Sequence, residues 1–83
     1  MNIKYAKLAK KAIARMDKPT KDRVKEAIEK IPDGDIKPLE GGQDQYRLRV
    51  GNLRVIFSYP DSNTLMIEKI RSRGDVYKGG LLK

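Results

Sequence analysis

Eighty-three residues carry 19 Lys and Arg against 11 Asp and Glu, a formal charge of +8, with 39% hydrophobic residues and neither Cys nor His. A chain this short builds one small core, so residues 1–83 are expected to form a single domain. The missing residue types exclude disulfides, thiolate nucleophiles, zinc–thiolate sites and any mechanism built on imidazole, while the basic balance suits a polyanion such as nucleic acid.

Asn2–Tyr5 reads as a short strand. Leu8, Ala9, Ala12, Ile13 and Met16 then recur at helical spacing, with Lys7, Lys10, Lys11 and Arg15 mostly on the outer face. Asp17-Lys18-Pro19-Thr20 stops this helix and starts another, because Pro is tolerated in a first turn but not inside a helix. Val24, Ala27, Ile28 and Ile31 carry the second helix to about Lys30, and Pro32, Asp33 and Gly34 end it. The basic outer faces are expected to be solvated. Asp17, Asp22, Glu26 and Glu29 are expected at capping or i,i+4 positions, and Asp33 and Asp35 beside a turn.

The period then changes to 2. Tyr46, Leu48 and Val50 alternate with Gln45, Arg47 and Arg49, which describes a half-buried strand. Gly51-Asn52 is a two-residue turn signal, Leu53–Tyr59 a second strand, Asp61-Ser62-Asn63 a second turn and Thr64–Ile70 a third strand. Short turns between three consecutive strands imply an antiparallel meander. The alternation slips near Lys69, where Ile70 does not follow the face of Leu65 and Ile67, so a β-bulge is expected there. Ser72–Lys83 reads as an irregular tail. The predicted class is α+β, two N-terminal helices on a small antiparallel sheet in the order β-α-α-β-β-β. No apolar run could span a membrane and Met1-Asn2-Ile3-Lys4 opens no signal peptide, so a cytoplasmic location is expected.

Residues 1–40 hold nine Lys and two Arg, whereas residues 41–83 hold three Lys and five Arg. Lysine is a strongly hydrated point charge; the arginine fork matches phosphate. Arg47 and Arg49 share a strand face, Arg54 follows on the next strand, Arg71 and Arg73 close the third, and Tyr77 comes four residues later. Such a cluster is self-repelling until an anion enters it, and a tyrosine beside it can stack on an unpaired base. These six residues are the candidate site. Glu68 has Lys69 and the arginines as expected ion partners. The carboxylates lack the clustering of a two-metal nuclease, so no metal and no cofactor are expected.

Three stretches, Lys37-Pro38-Leu39-Glu40-Gly41, Tyr46 through Phe57, and Ile70-Arg71-Ser72-Arg73-Gly74-Asp75-Val76-Tyr77, closely resemble the RelE branch of the RelE/ParE toxin superfamily. The resemblance implies a type II toxin–antitoxin toxin. Such a toxin cleaves mRNA in the ribosomal A site without a metal, inhibits translation, and is neutralised by a cognate antitoxin that wraps it. It also implies roles. Arg54 matches a phosphate-stabilising arginine, Arg71 a catalytic arginine that Arg73 is close enough to share, and Tyr77 a tyrosine that orients or stacks on substrate. Arg47 and Arg49 match RNA-binding positions that are lysines in the best-known members. Arginine cannot practically release its proton. If a lysine there is the base, this chain needs another base, or ribosomal RNA supplies one. The alternatives are a ParE-like DNA gyrase inhibitor without nuclease activity, whose branch generally lacks the Arg54, Arg71, Tyr77 set, and a weakened RNA-binding member.

Overall fold

The computed structural model describes residues 2–39 and 44–72. Its elements are β1 (Asn2–Tyr5), α1 (Lys7–Ala14), α2 (Lys18–Glu29), β2 (Asp35–Pro38), β3 (Gln45–Val50), β4 (Leu53–Asp61) and β5 (Thr64–Ser72). Ala6 and Asp17 precede the helices in extended conformation, and neither side chain caps them. Helices this short are held by packing rather than by propensity. α1 buries Ala9 and Ile13, and α2 buries Val24 and Ile28.

The sheet order is β1-β5-β4-β3-β2. The helices carry the chain from one edge of the sheet to the other, and β3, β4 and β5 bring it back as the expected antiparallel meander. β1 then lies parallel to β5, with Asn2 opposite Thr64 and Tyr5 opposite Ile67. α+β architecture is therefore present, with two additions. The parallel edge makes the sheet mixed, and β2 is a fourth antiparallel strand pairing Asp35–Pro38 with Arg49–Tyr46. Asp35, expected beside a turn, follows the turn that ends at Gly34 and opens this strand. Gly34 has φ +123°, and a methyl group there would meet Leu48 Cδ1 at 3.0 Å, so the close approach of turn and core requires glycine.

Phe57, Leu48, Val55, Leu65 and Ile67 face the helices and form the core with Val24 and Ile28. Tyr46 stacks on Phe57 with centroids 5.5 Å apart, and Tyr59 meets both rings edge-on. The expected bulge is found in β5. Ile56 pairs with Lys69 but Phe57 pairs with Ile67, which leaves Glu68 as the extra residue. Ile67 and Ile70 thereby both reach the helix side, while Lys69 and Arg71 keep to the other. β5 runs to Ser72, two residues beyond the expected end, and residues 73–83 lie outside the described residues.

Phe57 is fully buried at the centre of this packing. Phe57→Ala is expected to cost about 3–5 kcal/mol, against a total of about 4–12 for a chain this size. Urea titration followed by circular dichroism should find the variant largely unfolded at low denaturant.

Asp61 fixes the β4–β5 turn. Its Oδ1 accepts from the Asn63 backbone N–H (2.8 Å) and its Oδ2 from the Thr64 hydroxyl (3.1 Å). These bonds, the Asn63 N–H first, hold the carboxyl below its ordinary value. Its contribution to stability is complete above about pH 4, the ordinary Asp value, and is lost as pH falls through the lowered folded value. Asp61→Ala should lower the urea midpoint at pH 7, and the gap to wild type should close in acid.

Candidate nucleic-acid interface

Cross-strand register decides which side chains share the face that the helices leave uncovered. Arg49 pairs with Arg54, and Arg54 pairs with Arg71, so three arginines stand in one row across β3, β4 and β5. Two residues along the strands, Arg47 pairs with Ile56 and Ile56 with Lys69. Strand alternation puts this second row on the same face as the first. Lys37 extends the second row onto β2, and Asp35 extends the first. Arg47, Arg49, Arg54 and Arg71 are therefore brought together. Arg73 and Tyr77 lie outside the described residues.

The four arginines are not equivalent. Asp35 sits between two of them, with Oδ1 at 3.8 Å from Arg47 Nη2 and Oδ2 at 3.8 Å from Arg49 Nε. Arg47 is largely buried, its side chain 12% exposed, whereas that of Arg49 is 54% exposed. Arg54 and Arg71 are exposed and have no acidic side chain within 4.0 Å among the described residues. A like-charged neighbour directly across a strand is unfavourable, and Arg54 has one on each side. Ile56, 6% exposed, forms an apolar floor beneath this charge, separate from the main core.

Arg49, Arg54, Gly51, Asn52 and Leu53 line a hollow of about 200 Å³ at the β3–β4 turn. Gly51 turns there with φ +59°, and a methyl group on it would lie 3.8 Å from Arg23 Nη1. Arg23 of α2 thus reaches the rim of the hollow, a cation that helical periodicity places only on a solvated face. Asp35 was likewise hidden; its one signal was the alternation of Asp35, Ile36 and Lys37.

Glu68 departs from expectation. No cation lies within 4.0 Å of it among the described residues; instead Ser58 Oγ donates a 2.6 Å hydrogen bond to its Oε2. Ser58 is on the arginine face, two residues beyond Ile56, so its hydrogen bond holds Glu68 on that face as well. Among the described residues no three His, Cys, Asp or Glu side chains gather as metal ligands, and no helix is long and apolar enough to cross a membrane.

The family model described as "ParE toxin of type II toxin-antitoxin system, parDE" matches residues 3–77. No curated relative matches. Among solved structures, the chain is similar to one in the archaeal RelE–RelB complex from Pyrococcus horikoshii OT3, at 30% identity and TM-score 0.68, covering 88% of this chain and 94% of that one. It shares its fold with a chain of the RelB–RelE antitoxin–toxin complex from Methanococcus jannaschii, at 24% identity, TM-score 0.74 and coverage of 90% and 95%. The isolated E. coli RelE toxin has the same fold at 16% identity, TM-score 0.68 and coverage of 96% and 94%.

Replacing the middle arginine relieves repulsion on both sides. Arg54→Thr is expected to raise stability by about 0.5 kcal/mol at low ionic strength. The gain should shrink as salt screens the row. Urea midpoints at two salt concentrations check this.

Proposed function

The chain belongs to the RelE/ParE superfamily of type II toxin–antitoxin toxins, and from that premise we propose that it is an endoribonuclease cleaving ribosome-bound mRNA in the A site. The observation that carries this reading is the row Arg49–Arg54–Arg71, whose last two members have no acidic partner among the described residues. A row of guanidinium forks at fixed strand spacing suits the phosphodiester of an extended RNA strand. Cleavage without a metal requires deprotonation of the 2′-hydroxyl, its attack on phosphorus, and departure of the 5′-oxygen. Charge accumulates on the phosphorane oxygens, and Arg54 and Arg71 stand ready to stabilise it with little reorganisation. Arg49 and the more buried Arg47 hold the strand, Arg73 adds a further contact, and Tyr77 orients or stacks on the substrate.

A cognate antitoxin would neutralise the toxin, as RelB assembles with RelE in the two archaeal complexes. An acidic segment folding over a +8 surface would quench the repulsion among its arginines. The site of action is the cytoplasm, where translating ribosomes are. A second reading, inhibition of DNA gyrase without nuclease activity, is favoured by one observation: the matching family model is described as ParE toxin.

Primer extension on a message, with and without ribosomes, separates these readings when paired with a gyrase supercoiling assay. Cleavage that needs ribosomes, survives EDTA and falls steeply with salt is expected. Arg54→Ala and Arg71→Ala should each lose about 2–4 kcal/mol of transition-state stabilisation. Intact message together with inhibited gyrase would overturn the nuclease reading.

A further inference from the structure

Metal-free cleavage of RNA needs a proton acceptor for the 2′-hydroxyl, and most of the cationic face cannot supply one. Arginine does not release its proton, and lysine is protonated at neutral pH unless its environment is strongly altered. The chain has no imidazole or thiol. Among the described residues two carboxylates stand on the face, and they are used differently. Asp35 lies between Arg47 and Arg49 at 3.8 Å from each. Glu68 has no cation within 4.0 Å among the described residues.

Glu68 is also the extra residue of the β5 bulge. Alternation from Leu65 and Ile67 on the core side puts Glu68 on this face, and the bulge keeps Lys69 and Arg71 there beside it. Ser58 fixes it by donating to Oε2, and Oε1 takes part in no side-chain hydrogen bond among the described residues. Glu68 precedes Arg71 by three residues on one strand, at most about 10 Å between Cα atoms. That spacing lies within the combined reach of a glutamate and an arginine bound to adjoining parts of one nucleotide. Buried Ile56 floors the space between Arg54 and Ser58, and an apolar floor strengthens the charge interactions above it.

We propose that Glu68, positioned by Ser58, accepts the proton of the attacking 2′-hydroxyl, an assignment that rests on the RNA-cleaving reading above. The step balances without a co-reactant other than water. The 2′-O–H proton passes to the Glu68 carboxylate as the P–O2′ bond forms. The P–O5′ bond breaks and the 5′-oxygen takes a proton from solvent. A 2′,3′-cyclic phosphate and a 5′-hydroxyl result, and Glu68 returns its proton to water. Ser58 is a positioning residue, acting through Glu68.

The test compares wild type, Glu68→Gln, Glu68→Asp and Ser58→Ala. It reads single-turnover cleavage of ribosome-bound message, binding of a non-cleavable 2′-O-methyl oligonucleotide, and urea midpoints. Glu68→Gln keeps an acceptor for the Ser58 hydroxyl but cannot serve as the base. It should cleave about 100-fold slower or worse, while binding the oligonucleotide at least as tightly and keeping its urea midpoint. Glu68→Asp should retain part of the rate, and Ser58→Ala should lose about fivefold, the worth of one hydrogen bond. Cleavage by Glu68→Gln within threefold of wild type, or a loss matched by weaker binding, would overturn the assignment. If Glu68→Gln does not fold, Glu68→Ala combined with Ser58→Ala removes both partners of the bond and is judged by the same outcomes. Wild type that cleaves no message under any of these conditions overturns the nuclease reading itself, a result distinct from the others.

Discussion

β5 has to satisfy two sides of the sheet at once, and a regular strand cannot do so with this sequence. Leu65, Ile67 and Ile70 need the helix side, whereas Lys69 and Arg71 need the other, and strict alternation forbids that combination. One extra residue at Glu68 resolves the conflict. Without it, either Ile70 would face solvent and Arg71 the core, or Ile67 would leave the core. The register Arg54–Arg71, and therefore the whole cationic row, depends on that insertion.

The row is electrostatically unfavourable in the isolated chain, and the structure offsets only part of it. Asp35 attends to Arg47 and Arg49 from the edge strand β2, with loose contacts that cost side-chain order and give back little in solvent. Arg54 and Arg71 receive nothing comparable among the described residues. The balance is tolerable because the opposite face carries the tightly packed Phe57, Leu48 and Val55 core, which makes the stability. One side of the sheet holds the fold and the other is left under charge strain. Packing and charge thus occupy different faces of the same strands.

Most of this was legible from residue order because it follows from periodicity. The two helices declare themselves through Leu8 to Met16 and Val24 to Ile31, the meander through its turns, and the bulge through the broken alternation of Ile67 and Ile70. Because register follows from turn lengths, the shared face of Arg47, Arg49, Arg54 and Arg71 was legible too. β2 was not. Its four residues follow Pro32, Asp33 and Gly34, a run that speaks for a turn, and only pairing with β3 makes them a strand. Asp35 was missed with it. Arg23 was missed because its approach to Gly51 is a tertiary contact between a helix and a turn with no local signature. Glu68 was given ion partners on proximity in sequence, but its bulge position and the Ser58 hydroxyl take it elsewhere.

The parallel pairing of β1 with β5 bears on when, during synthesis, such a chain acquires its shape. Asn2 has no partner until Thr64 exists, and Tyr5 none until Ile67 does. β1 is completed only by β5, and the two helices that follow β1 have no sheet to pack on until the meander has formed. Contacts this distant in sequence are slow to close, since the entropy of a long loop is lost before any pairing repays it. β1 and the two helices therefore wait for residues 64–67 before the sheet can close around them. The arginine row is assembled only once Arg71 has been added, after β1, both helices and the partner strands β3 and β4 have all been made.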